Sequence, residues 1–132
     1  MVVAADTDVV VRILAADDAG QHRAALARVR KIGEAGGRVL IVSVTLAEAA
    51  WVLRARYGYE REQIAAAIDA ILHTPPFEVV DSAPAVAALA RYRHGPGDLA
   101  DYLTLELALS AGSERLLTFD RKMLRLSDCE EP

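Results

Sequence analysis

The chain has 132 residues, of which 53% are hydrophobic and 5% aromatic, and its formal net charge is −4. This composition excludes a disordered tail, and the negative charge gives no sign of the large basic surface typical of many nucleic-acid-binding proteins. The single cysteine, Cys129, excludes an internal disulfide framework, and the three histidines lack the spacing of a zinc site. We therefore expect one domain over residues 1–132, located in the cytoplasm, with neither a signal peptide nor a membrane span.

Apolar runs and helix signals alternate along the chain, and glycine or proline pairs separate several of them. Asp8 is predicted to cap the first helix, and Asp17 and Asp18 the second. The predicted strands cover residues 2–5, 38–42, 77–80 and 115–119, and the predicted helices cover residues 8–14, 17–35, 45–56, 60–72, 83–92, 98–110 and 120–126.

The strands read as continuous apolar runs rather than as alternating apolar and polar positions. Such runs are typical of parallel strands that are buried on both faces. Together with the alternation of strands and helices, they predict the α/β class, with a central parallel sheet of four to five strands flanked by helices on both faces.

Acidic residues lie where ligands bind in an open parallel sheet, close to the carboxyl ends of the predicted strands. Several carboxylates at one edge repel one another unless a cation lies between them, and oxygen ligands suit Mg²⁺ or Mn²⁺. The sequence therefore predicts a divalent-metal site. The residues concerned are Asp6 and Asp8 after the first strand, Glu48 after the second, Asp98 and Asp101 before the fourth, and Asp120 after it.

Each of these acids also has a purely structural interpretation. Residues 45–48 have the sequence of a helix capping box, and Asp98 and Asp101 suit the start of a helix. Asp120 is able to cap the last predicted helix. The structural interpretation is weakest for Asp6, because an acid that directly ends a buried strand is expected to have little capping to do. The metal site therefore depends on the joint placement of the acids.

Four short motifs resemble those of the PIN-domain nucleases. Residues 3–12 (VAADTDVVVR) resemble the first motif, an apolar strand followed by Asp-Thr-Asn, and residues 45–53 (TLAEAAWVL) resemble the second. Residues 98–103 (DLADYL) resemble the third, often Asp-Phe-Ala-Asp-Ala-Leu, and residues 116–121 (LLTFDR) resemble the fourth, Thr-Phe-Asp. The motifs occur in the right order over nearly the whole chain. The length of the chain is most similar to that of VapC-type toxins of bacterial type II toxin–antitoxin pairs.

The resemblance implies that Asp6, Glu48, Asp101 and Asp120 are catalytic carboxylates that bind Mg²⁺ or Mn²⁺, with Asp98 as an auxiliary neighbour. Asp8 stands where the family usually has Asn. It either strengthens metal binding or points away and caps its own helix, and the sequence leaves both open.

The implied activity is hydrolysis of RNA phosphodiester bonds by a metal-dependent endoribonuclease. The ion would lower the pKa of a bound water and stabilise charge on the phosphate, and Asp101 or Glu48 would orient that water. The hydroxyls of Thr7, Ser43 and Thr118 are candidates for orienting water or carboxylates, with Thr7 and Thr118 also expected near the substrate. Candidate phosphate contacts are Arg12, Arg54, Arg91, Arg93 and Arg121, each of which has a competing interpretation as part of a surface salt bridge.

The resemblance also implies protein partners. Antitoxins of this family lie across the toxin and can insert a basic side chain into the acidic pocket, so we expect a cognate antitoxin, a homodimer or a toxin–antitoxin hetero-oligomer. Trp51, Tyr57 and Tyr59 form either an apolar docking surface or part of the core.

Three other interpretations stay open. Asp6-Thr7-Asp8 also resembles the nucleophile motif of haloacid-dehalogenase-type phosphatases, but the only lysines, Lys31 and Lys122, do not suit the required position, and no cap insertion is evident. A receiver domain has a similar size but needs a lysine at the end of a late strand. A catalytically silent PIN-like binding module is the third interpretation.

Overall fold

The computed structural model describes residues 1–132 and shows strands and helices in alternation, which confirms the predicted α/β class. A short 3₁₀ helix, Met123–Arg125, lies near the C-terminus, between the fourth and fifth strands. The helices are α1 (Thr7–Ala15), α2 (Ala19–Glu34), α3 (Ser43–Tyr57), α4 (Arg61–His73), α5 (Ser82–His94) and α6 (Leu99–Ser110), and the strands are β1 (Val2–Ala4), β2 (Arg38–Ile41), β3 (Phe77–Val79), β4 (Leu116–Leu117) and β5 (Cys129–Glu130).

The five strands form only parallel pairs. β1, β2 and β3 make one sheet in that order, and β4 pairs with β5. The strands thus form one group of three and one separate pair. β4 is only two residues long, and the N–H groups of Leu116 and Thr118 donate to the carbonyl oxygens of Asp128 and Glu130, in and just before β5. Since β1 to β3 are parallel, their carboxyl ends meet at one edge, where Asp6 follows β1 and Ser43 begins the helix after β2.

The first helix begins differently from the prediction. Asp6, rather than Asp8, is the N-cap of α1, and its Oδ1 accepts a hydrogen bond of 3.1 Å from the N–H of Val9. The expectation that Asp6 has little capping to do was therefore wrong. Because the helix starts at Thr7, Asp6 occupies the position from which a side chain reaches the N–H of the third helical residue.

The third helix starts at Ser43, two residues earlier than predicted. Its N-cap is Val42, which has no side chain able to accept a hydrogen bond, so residues 45–48 do not form a capping box. This frees the carboxylate of Glu48, in the second turn of α3, for a contact with another element.

The C-terminal elements are shorter than predicted. β4 covers only two of the five residues expected for the fourth strand, and the helix expected over residues 120–126 is reduced to the short 3₁₀ helix. β5 was not predicted, because Cys129–Glu130 contains no apolar run to signal a strand.

The main core contains 22 buried residues contributed mostly by α1 and α3 to α6. A smaller cluster of Val29, Ile32 and Val39 lies between α2 and the sheet. The prediction that the first strand is buried was wrong: β1 has a neighbouring strand on one side only, Val2 and Ala4 are exposed and Val3 is half-buried. None of the helices combines the length and apolar character needed to cross a bilayer.

Candidate active site

A hydrogen bond joins the first motif to a predicted metal ligand of the second motif at the carboxyl edge of the sheet. The hydroxyl of Thr7 donates to Oε2 of Glu48 at 3.0 Å, although the two residues lie 41 positions apart. Asp6 directly precedes Thr7 at the start of α1, and α1 packs along α3. Packing of these two helices therefore brings the first and second motifs together.

The third motif forms a capping box. Asp98 is the N-cap of α6, and its N–H donates to Oδ2 of Asp101 at 3.0 Å. Arg54 of α3 approaches the same helix end, with 3.6 Å between its Nη1 and Oδ1 of Asp98. The structural interpretation of Asp98 and Asp101 is thus confirmed, and the box sets the orientation of the Asp101 carboxylate.

The fourth motif makes a tight local turn after β4. Oδ1 of Asp120 accepts a 2.8 Å hydrogen bond from the N–H of Lys122, and the N–H of Asp120 donates to the hydroxyl of Thr118 at 2.9 Å. All hydrogen bonds of the Asp120 side chain are therefore within its own turn.

The four predicted metal ligands share an arrangement that the sequence does not reveal. Each carboxylate accepts one hydrogen bond through one oxygen, while its second oxygen makes none. None of the four forms a salt bridge, whereas Asp98 does. A carboxylate held by one oxygen and free at the other is suited to bind a cation. The bonded oxygens are Oδ1 of Asp6, Oε2 of Glu48, Oδ2 of Asp101 and Oδ1 of Asp120.

The acids do not converge into a single cluster in this structure. No three side chains of His, Cys, Asp or Glu lie close enough together to hold a metal ion. The donor chemistry nevertheless fits a hard divalent ion, since all the predicted ligands are carboxylates. Convergence of Asp6, Glu48, Asp101 and Asp120 on one ion stays a prediction.

Most of the arginines considered for phosphate contact form ion pairs. Arg12 contacts Asp17, Arg54 contacts Asp98, Arg91 contacts both Glu106 and Asp128, and Arg93 contacts Glu62. Arg121, next to Asp120, forms no ion pair and is exposed. Of this group, Arg121 is therefore the cation most available to a substrate.

Arg12 belongs to a hydrogen-bonded cluster that links α1, the following turn and the end of α3. The hydroxyl of Tyr57 donates to Asp17 at 2.7 Å and accepts from Arg12 at 3.2 Å. The hydrogen bond from Tyr57 lowers the pKa of Asp17, and the nearby charge of Arg12 acts in the same direction. These contacts give Arg12 a structural role.

Asp8 lies at the rim of an apolar cleft. It is exposed and makes no hydrogen bond, so it does not cap α1. The cleft has a volume of about 510 Å³ and lies between β1, α1 and α2, and its lining includes Asp6 and Asp8 together with apolar side chains such as Val29 and Ile32.

The three aromatic residues considered for docking have different environments. Tyr57 and Tyr59 pack against the core with their ring centres 6.5 Å apart, edge to face. Trp51 is 64% exposed and is not part of the core. Sequence reasoning did not find the exposure of Trp51 because the residues directly beside it in the sequence, at positions 49, 50, 52 and 53, are all apolar.

Comparison with known proteins identifies the family. A model of the PIN domain matches residues 3–128, which include all four motifs. Searches of curated proteins and of solved structures find no match. PIN domains are generally nucleases and typically use divalent metal ions. Because the match extends over nearly the whole length and the α/β architecture agrees with it, this chain belongs to the PIN domain family.

Proposed function

We propose that the chain is a Mg²⁺- or Mn²⁺-dependent endoribonuclease whose metal ligands are Asp6, Glu48, Asp101 and Asp120. One observation carries the proposal: the PIN family match covers residues 3–128, which include all four motifs that hold these carboxylates. Each of the four also keeps one oxygen free of hydrogen bonds and has no basic partner, so it is open to a cation. Membership of the PIN family supports nuclease chemistry at this edge.

The residues have distinct roles in the proposed hydrolysis. A divalent cation, when bound, supplies positive charge to the phosphate and makes water more acidic. Glu48 is oriented by Thr7, and Asp101 by the N–H of Asp98. The free oxygen of Glu48 or Asp101 accepts the proton of the attacking water. The water oxygen forms the new bond to phosphorus as the bond to the leaving ribose oxygen breaks, and that oxygen takes up a proton from solvent.

The proposal extends to a role as the toxin of a toxin–antitoxin pair. The motifs and the length resemble VapC-type toxins, and the apolar cleft beside Asp6 and Asp8 offers a site for a short antitoxin chain. An apolar side chain of the antitoxin would fill the cleft, and a basic one would contact the two carboxylates. The complex would be a toxin–antitoxin hetero-oligomer in the cytoplasm, built on a homodimer of this chain.

Cleavage of RNA by the purified protein tests the nuclease. We expect Mg²⁺ or Mn²⁺ to support cleavage, a chelator to stop it and Asp6→Asn to abolish it. Asp18→Asn is a matched control, because Asp18 also caps a helix through a hydrogen bond from a backbone N–H and has no salt bridge. Asparagine caps helices as well as aspartate does, so neither change should unfold the protein. Equal activity of Asp6→Asn and wild type would contradict the proposed site.

The competing functions have their own outcomes in this experiment. Covalent phosphorylation of Asp6 by a small phosphodonor would favour a phosphatase. RNA binding without cleavage at any metal concentration would favour a silent binding module.

Growth measurements test the toxin role separately. Expression of the chain alone should stop growth, and co-expression of a small neighbouring reading frame that encodes a DNA-binding antitoxin should restore it. Asp6→Asn should be harmless, whereas Asp18→Asn should stop growth like the wild type. Growth that is indifferent to the protein would refute the toxin role and leave the nuclease proposal standing.

A further inference from the structure

The only exposed aromatic side chains of the chain both lie next to predicted metal ligands. Trp51 is 64% exposed and follows Glu48 by three residues on α3, which is nearly one helical turn. Phe119 is 77% exposed and directly precedes Asp120. The other aromatic rings are buried or half-buried. Aromatic rings contribute strongly to binding, so exposed rings beside predicted metal ligands are candidates for contact with a ligand.

Trp51 also contacts the start of α6. Together with Arg54, Asp98 and Leu99 it lines a small cleft of about 70 Å³ between α3 and α6. The ion pair between Arg54 and Asp98 spans 3.6 Å, and both side chains are at least 60% exposed. Such a pair contributes little in water. Arg54 is therefore able to exchange Asp98 for a phosphate while remaining beside the indole ring.

We propose, on the basis of the proposed nuclease function, that Trp51 and Phe119 stack against unpaired bases of a single-stranded RNA. Arg54, beside Trp51, contacts the adjacent phosphate. Stacking accepts any base, because every base has a flat aromatic face, and proteins that bind single strands combine such rings with nearby cations. Stacking also suits a chain of net charge −4 whose other candidate arginines are largely held in ion pairs.

The surroundings of Trp51 favour RNA over a protein partner. The exposed positions about one turn from Trp51 on α3 include Glu48 and Arg54, so a carboxylate and a guanidinium flank the indole, while the next large exposed apolar side chain on this face, Val44, lies about two turns away. The centre of a protein interface is depleted of charged residues. A ring beside a cation is typical of a stacking site instead.

The fluorescence of the single tryptophan reports directly on stacking at this position. We expect a short single-stranded RNA to quench the emission of Trp51, both in the wild type and in Asp6→Asn. The same RNA annealed into a duplex should quench much less, because its bases are already stacked. Quenching requires no turnover, so this measurement tests the stacking site even if the protein cleaves nothing.

Substitutions separate stacking from other apolar contacts. Trp51→Leu and Phe119→Leu should each raise the dissociation constant for single-stranded RNA, and KM where cleavage is measured, by about 5- to 100-fold. Trp51→Phe keeps a ring and should stay within about threefold of the wild type. Val44→Ala is the control on the same helix, because Val44 is 67% exposed and apolar but carries no ring. Because the two rings bind the RNA and do not take part in the reaction, Trp51→Leu and Phe119→Leu should change kcat much less than KM.

Two results would overturn the inference. The first is an unchanged dissociation constant in Trp51→Leu together with an absence of quenching by single-stranded RNA. The second is a shift of Trp51→Leu from dimer to monomer in sedimentation, or loss of binding to the antitoxin, with unchanged RNA affinity. Either form of the second result would assign Trp51 to a protein interface. Cleavage that persists without quenching would reject the stacking site and leave the proposed nuclease intact.

Discussion

A single hydroxyl group links the first two motifs. Thr7 follows Asp6 at the first position of α1, and its hydroxyl holds one oxygen of Glu48. Both side chains are at the surface, where one hydrogen bond contributes about 1 kcal/mol or less to stability. The importance of this contact therefore lies in the orientation of Glu48 rather than in holding the fold together.

We predict that Thr7→Val lowers kcat/KM for RNA by about tenfold, since a poorly oriented ligand costs roughly 1.4 kcal/mol of transition-state stabilisation. Valine keeps the shape of threonine and removes only the hydroxyl. Thr7→Ser restores the hydroxyl and should recover activity to within about threefold of the wild type. Steady-state kinetics, together with thermal unfolding to confirm an intact fold, measure the effect. Equal activity of the valine and serine variants would show that the hydrogen bond to Glu48 does not matter for catalysis.

The start of α6 depends on how the preceding loop is held. Arg61 of α4 donates to the carbonyl oxygens of Tyr92 and Gly97 at 3.0 and 2.8 Å, and its guanidinium lies 4.3 Å from the centre of the Tyr92 ring. The N–H of Gly97 donates to the hydroxyl of Tyr102 at 3.0 Å. These contacts place Asp98, and through it Asp101, at a defined position.

A side chain at Gly95 would disturb this element. A Cβ atom there would lie only 1.9 Å from the hydroxyl oxygen of Tyr102, whose ring is 2% exposed and has little room to move. We predict that Gly95→Ala lowers the free energy of unfolding by about 1–3 kcal/mol. It should also reduce RNA cleavage, because it displaces the helix end that carries Asp101.

Gly20→Ala is the matched control for this substitution. Gly20 lies in α2, and the nearest atom to an added Cβ is Oδ1 of Asp18 at 3.5 Å, an ordinary contact. Alanine favours a helix, so Gly20→Ala should raise the free energy of unfolding by about 0.5–1 kcal/mol. Denaturant unfolding of the two variants gives both values. A harmless Gly95→Ala would indicate that the loop relaxes without moving Tyr102.

At the scale of the whole molecule, Arg91 joins three parts of the chain. From α5 it contacts Glu106 of α6 at 2.5 Å and Asp128, just before β5, at 3.0 Å. Glu106 is only 15% exposed, so its charge is poorly solvated without this partner. The contact therefore ties the C-terminal segment, with its short pair of strands, to the main helical core.

We predict that Arg91→Ala lowers the free energy of unfolding by about 2–4 kcal/mol, because it leaves Glu106 partly buried and unpaired. Arg93→Ala is the control: Arg93 pairs with Glu62, which is 74% exposed, and its removal should cost about 1 kcal/mol or less. The buried thiol of Cys129 offers a second measurement. Burial raises the pKa of this thiol and shields it from reagents, so it reacts slowly in the folded protein. Arg91→Ala should accelerate its labelling because loosening of the C-terminal segment exposes the thiol, which outweighs the loss of the Arg91 charge that lowers its pKa. Equal destabilisation by both changes would argue against a clamp at Arg91.

The amino-acid sequence determined the α/β class and the place of nearly every helix, because apolar runs and their glycine and proline breaks are local properties. The PIN motifs were also visible in it, since each is a short segment, and the family match at residues 3–128 confirms them. The start of α1 was predicted wrongly because Asp6 and Asp8 are both suitable cap residues and only the backbone shows that Asp6 accepts from the N–H of Val9.

Only the tertiary structure decided which side chains meet. The bond between Thr7 and Glu48 depends on how α1 packs against α3, and no local pattern encodes a contact between residues 41 positions apart. The exposure of Trp51 depends in the same way on which face of an apolar helix its neighbours cover. A sequence specifies such contacts only through the packing of the whole chain, because burial is a property of the surroundings rather than of the residue.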